Sequence, residues 1–103
     1  MSQPAYFIFD VTIHDMAGMQ PYQAKVAETY PPYGGKLLVL AGKTEVIEGD
    51  APQGLTVILA FPSMAQAHAW HDSPEYQAII GYRHAAASTR AVLVEGLPAG
   101  AAH

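Results

Sequence analysis

The stretch Ala5-Tyr6-Phe7-Ile8-Phe9-Asp10-Val11-Thr12-Ile13 is an extended run of aromatic and β-branched residues, the composition of a strand packed on a core. Successive side chains of a strand point to opposite faces. Phe7, Phe9, Val11 and Ile13 therefore form one wholly apolar face, while Tyr6, Ile8, Asp10, Thr12 and His14 form a mixed one. Plain packing does not call for that mixture, and it reads as the wall of a small-molecule pocket.

Working outward, Asp15 is placed to cap a helix whose apolar positions Met19, Tyr22, Val26 and Tyr30 recur at three-to-four spacing. Pro21 lacks an N–H and crowds the preceding turn, so the main helix is expected to start near Pro21 after a short first turn. Pro31-Pro32 ends it, and Tyr33-Gly34-Gly35 turns the chain into Lys36–Leu40. That run and Thr44–Glu48, on either side of Gly42, read as one bent strand or a hairpin. Residues 49–54 have loop chemistry, and Leu55–Phe61 has the apolar content and length of a central strand.

Ser63 and Gln66 have capping-box spacing before a helix from Met64 to about His71. Ser73-Pro74 reads as a second cap, opening a helix that reaches roughly Arg83. Ser88–Glu95 is the last strand. The order is an α+β, ferredoxin-like βαββαβ unit with a four-stranded antiparallel sheet, and Val46-Ile47-Glu48-Gly49 weakly echoes Leu93-Val94-Glu95-Gly96. Residues 1–96 are expected to form a single domain, and residues 97–103 a flexible tail.

The chain has 103 residues, half of them hydrophobic and only 14% charged, against about 25% in ordinary soluble domains. Helices on one sheet face leave the other bare, and a second copy covering it accounts for the low charge, so a homodimer is expected. Net charge −4 leaves no basic footprint for nucleic acid. No apolar run reaches the ~20 residues of a membrane span, and the N-terminus carries no basic n-region, so a cytoplasmic protein without a membrane partner is expected. The absence of cysteine removes disulfides, thiolate nucleophiles and cysteine metal sites.

The motifs Phe61-Pro62-Ser63, Ala69-Trp70, Ser73-Pro74-Glu75-Tyr76 and Val92-Leu93-Val94-Glu95-Gly96, with Asp10, Tyr22 and Tyr33-Gly34-Gly35, resemble an uncharacterised family. It is the domain-of-unknown-function family numbered thirteen-thirty, within the dimeric α/β-barrel superfamily, and the likeness spans Ala5 to Gly96. The resemblance implies a dimeric α/β barrel. It does not imply one activity, because relatives include cofactor-free oxygenases, lactone isomerases, polyketide cyclases, haem-degrading enzymes and ligand-sensing modules. Where haem-degrading relatives place an iron-binding histidine this chain has Ile80, with His84 a turn further on. Two positions depart from the family's habit: His71 stands where tyrosine commonly follows the tryptophan, and Leu40 where the second strand commonly carries arginine.

Asp10, mid-strand among apolar neighbours, must gain a partner or shift its pKa upward. It is either a general base or the structural partner of Arg90 on the neighbouring last strand. His68 and His71 share a helix face, but a metal would need a third ligand from His14, Asp72 or His84, so no metal and no cofactor are expected. Trp70, Tyr22, Tyr33 and Tyr76 line an aromatic pocket or seat helices on the sheet. Arg83 is a helix-end charge or an anion anchor. Ser63 and Ser73 are explained as caps, and no phosphate-binding glycine loop is present.

The leading expectation is a cofactor-independent enzyme of isomerase, cyclase, lyase or oxygenase type acting on a small apolar or aromatic metabolite. Asp10, His71 and Arg90 are its catalytic candidates, and His14, Tyr22, Tyr33, Trp70, Tyr76 and Arg83 its substrate-binding ones. The alternatives are a non-catalytic ligand-binding or sensing dimer and a purely structural dimer. The site is expected where the polar side of Ala5–Ile13 meets the helix carrying Trp70 and His71.

Overall fold

The first strand, β1, spans Ala5–Ile13, and its burial alternates as the apolar positions predict. The structure, a computed structural model, describes residues 3–98. Helix α1 runs from Met16 to Thr29, and the Asp15 carboxylate caps it by accepting from the Gly18 N–H at 3.0 Å. The helix does not wait for Pro21, which lies inside it. The Asp15 cap and the packing of α1 against a later helix hold the first turn, although Pro21 removes one hydrogen bond. A 3-10 turn, Pro31–Tyr33, follows, and Gly34 closes it at φ 81°, a backbone conformation that favours glycine.

Strand β2 is Lys36–Leu40 and β3 is Leu55–Phe61. Thr44–Glu48 is not a strand: Ala41, at φ 52°, breaks the extended run, and the segment is exposed without a ladder partner among the described residues. Helix α2 spans Met64–His71, helix α3 spans Pro74–Ala86, and β4 spans Ala87–Glu95. Ser63 accepts from the Gln66 N–H at 3.1 Å and its hydroxyl donates to Gln66 Oε1 at 3.3 Å, while Gln66 Nε2 donates to the Tyr33 carbonyl at 3.1 Å. The side chain of Gln66 thus meets the Ser63 hydroxyl rather than its backbone N–H, and only half of the capping box forms. Ser73 caps α3 through the Tyr76 N–H at 3.2 Å.

The sheet order is β2-β3-β1-β4 with every pairing antiparallel, the ferredoxin-like arrangement. Phe7, Phe9 and Val11 of β1 with Leu59 and Phe61 of β3 form its inner face. Trp70 and Tyr76, both fully buried, sit over that face with ring centroids 4.0 Å apart. The indole N–H of Trp70 donates to Thr29 Oγ1 at 3.0 Å, and that hydroxyl donates to the Val26 carbonyl at 2.7 Å, which ties α2 to the end of α1.

Among the described residues no helix covers the opposite, outer face. The molecule is a slab of 44 × 38 × 16 Å with a radius of gyration of 14.4 Å, larger than the ~13 Å of a compact chain of this length. Val92 and Val94 on the outer face are 55% and 47% exposed. Of the expected tail, Leu97 and Pro98 are described, and residues 99–103 lie outside the described residues. No helix among the described residues is long and apolar enough to cross a membrane.

Candidate functional site

Helix α1 lies mainly against α3 and stands off the sheet, which opens a cavity of about 410 Å³ between them. That size lies within the range of small-molecule sites. Its floor is the inner face of the sheet, including Phe9 and Val11 from β1, Val57 and Leu59 from β3, and Leu37 from β2. Leu40, Ala41 and Leu55 on one side and Gln23 and Ala27 of α1 on the other are exposed and form the mouth.

Polar chemistry enters this apolar space at one end. The Tyr22 hydroxyl lies 2.9 Å from the Tyr76 hydroxyl, which in turn accepts from Arg83 Nη2 at 3.4 Å. Tyr22 and Arg83 face the cavity, and Tyr76 stands one layer behind them. Burial, reinforced by Tyr76 beside it, pushes the Tyr22 phenol above its ordinary pKa although Arg83 pulls the other way, so Tyr22 remains a hydrogen-bond donor. Arg83 is only 5% exposed, and its guanidinium lies 5.7 Å from the centroids of both Phe9 and Tyr22. Arg83 does stand in the last turn of α3, which ends at Ala86, and its side chain turns inward to the cavity rather than outward to water.

The mixed face of β1 is the outer face, so it is not a pocket wall. Asp10 sits there directly opposite Arg90 across β1 and β4. Its carboxylate accepts from Arg90 Nη2 at 2.9 Å and from the backbone N–H groups of Gln53 at 3.1 Å and Gly54 at 2.6 Å. The Arg90 hydrogen bond lowers the Asp10 pKa from its ordinary 3.8; partial burial opposes this, and the two N–H groups reinforce it. A carboxylate so occupied is a poor proton acceptor, and the sheet separates it from the cavity. Gly54 allows this approach, because a Cβ there would overlap the Val11 carbonyl.

The other expected site residues divide in the same way. Trp70 is core and also contributes to the cavity wall. His71 stacks on Phe7 at 5.9 Å and lies 3.4 Å from an Asp72 carboxylate oxygen, away from the cavity lining. His14 is exposed beyond the end of β1, and the Tyr33 hydroxyl donates to Glu75 at 3.3 Å. The expected meeting of the polar side of β1 with the Trp70–His71 helix does not occur, because α2 covers the apolar side. Among the described residues, no three His, Cys, Asp or Glu side chains are placed to hold a metal ion. Sequence reasoning missed Phe9, Leu40, Val57 and Tyr30 as cavity residues. Their signal was the apolar strand alternation, which is shared with ordinary core.

Residues 4–97 match the family described as Domain of unknown function (DUF1330). A protein of unknown function from Rhodopseudomonas palustris is similar in structure, with a TM-score of 0.75 at 18% identity over 95% of this chain and 85% of that one. SnoaB, a cofactor-independent oxygenase from Streptomyces nogalater, superposes with a TM-score of 0.66 at 13% identity over 96% of this chain and 98% of its own. At these identities the likeness is one of fold. No curated protein matches this chain.

Proposed function

We propose that this chain, which belongs to the DUF1330 family, binds a small, largely hydrocarbon molecule in the cavity beneath α1. The observation that carries this is an open, apolar space of about 410 Å³ on which a phenol and a guanidinium converge. A core that only stabilised the fold would have closed over it, since interiors pack to nearly constant density. The test is calorimetric titration with 1-naphthamide, a neutral bicyclic probe. Saturable binding that weakens at least tenfold in Val26→Trp, which fills the cavity from α1, supports the proposal. No saturable binding, or binding unchanged in Val26→Trp, overturns it.

Catalysis is the second reading, favoured by the Tyr22 hydroxyl, a protonated donor able to polarise a substrate carbonyl. Among the described residues the lining contains no carboxylate and no imidazole, and neither Asp10 nor His71 faces this cavity. The fold shared with SnoaB, a cofactor-independent oxygenase, supports an enzymatic reading without selecting a reaction. Incubating each bound compound and analysing for product separates an enzyme from a carrier or sensor.

We further propose that two copies pair through the outer face, where Ile8, Val92 and Val94 are exposed on a slab only 16 Å thick. Sedimentation velocity at micromolar concentration is expected to give twice the 11.0 kDa chain mass, and Val92→Asp to return the monomer. A wild-type monomer, or a dimer indifferent to Val92→Asp, contradicts this pairing.

A further inference from the structure

We infer that the natural ligand of this cavity carries a single anionic oxygen group, a carboxylate on a flat hydrocarbon body, with Arg83 as its counter-ion. The inference rests on the binding function proposed above and adds the chemical class of the ligand. Arg83 is nine-tenths buried, and among the described residues no carboxylate lies within 4.0 Å of its guanidinium. Its Nε is buried without a hydrogen-bond partner. The long 3.4 Å contact to the Tyr76 hydroxyl is the guanidinium's one hydrogen bond among the described residues. A buried cation with an idle donor is costly unless something completes it, and among the described residues nothing does.

The geometry selects what completes it. The Phe9 and Tyr22 rings lie beside the guanidinium at 5.7 Å each. Aromatic neighbours of this kind leave the in-plane N–H edge for a partner, and that edge matches the two oxygens of a carboxylate. Tyr22, held in its protonated form, brings no competing negative charge to the site. Arg83 is the sole charged side chain on the wall among the described residues, which suits a monoanion and leaves the second charge of a phosphate monoester unmatched. Apart from Gln23 at the mouth, the remaining walls are aliphatic and aromatic, so the body of the ligand must be largely hydrocarbon.

The test compares 1-naphthoic acid with 1-naphthamide, which has nearly the same shape without the charge, by calorimetry on the full chain near neutral pH. The acid is expected to bind at least tenfold more tightly. In Arg83→Met that preference is expected to disappear while the amide still binds, which shows that the cavity remains folded; Arg83→Lys, which keeps the charge but not the planar fork, is expected to retain part of it. Equal affinity of acid and amide for the wild type, or a preference that survives Arg83→Met, overturns the inference and leaves the cavity proposal standing. Failure of both compounds to bind overturns the two together.

Discussion

Trp70→Ala is expected to lower the free energy of unfolding by about 3–5 kcal/mol, the usual cost of emptying a large buried aromatic site. Trp70 is fully buried, touches Phe7, Phe61 and Tyr76 at ring-centroid distances of 5.4, 5.3 and 4.0 Å, and binds Thr29 through its indole N–H. It joins α2 to the sheet, to α3 and to the end of α1. Domains of this size hold only about 5–15 kcal/mol in total, so the variant should sit near the edge of folding. Denaturant unfolding checks the value, with Trp70→Phe as the control that keeps a ring and loses only the contact to Thr29 and part of the volume. A loss below about 1 kcal/mol for Trp70→Ala would mean that the core closes over the vacancy.

Arg83→Met is expected to act in the opposite direction, raising the stability of the unliganded protein by about 1–2 kcal/mol, as replacement of buried ionic groups by apolar side chains of similar volume often does. The argument is a balance. Removing a guanidinium from water costs several kcal/mol, and the return here is one long hydrogen bond and two aromatic neighbours worth about 2 kcal/mol or less apiece. Methionine fills similar space and leaves no idle donor. Thermal and denaturant unfolding of the two proteins, both without added compound, decide it. A variant less stable by more than about 1 kcal/mol would make Arg83 part of the scaffold. The expected result, read beside the loss of acid preference, would mark Arg83 as a residue held at the expense of stability for what it binds.

The architecture was legible because its signals are local. Asp15, Ser63 and Ser73 cap the helices where hydroxyl or carboxylate residues precede apolar periodicity, and Ala5–Ile13 and Leu55–Phe61 are strands to the residue. Even the partnership of Asp10 with Arg90 follows once first and last strands are neighbours. The side of the sheet on which the candidate cavity lies was not legible. Polar residues among apolar ones suggested a pocket on the mixed face, but that mixture reflects a carboxylate satisfied by backbone N–H groups from a distant loop, a contact no periodicity announces. The burial of Arg83 was not legible either: a side chain in the last turn of a helix can face water or the interior, and how α3 sits against α1 decides which. Thr44–Glu48 had strand-like residues, yet strand propensity is realised only where a ladder partner exists.

The Asp10 contacts reach through the sheet. On the outer face the carboxylate holds the N–H groups of Gln53 and Gly54; the next residue, Leu55, lies on the inner side at the cavity mouth, opposite Val11 in the β1–β3 register. The width of the entrance is thus gauged from behind, by an ionised group that no ligand in the cavity can touch. Loosening that peg would slacken the doorway while leaving every group that faces the guest in place.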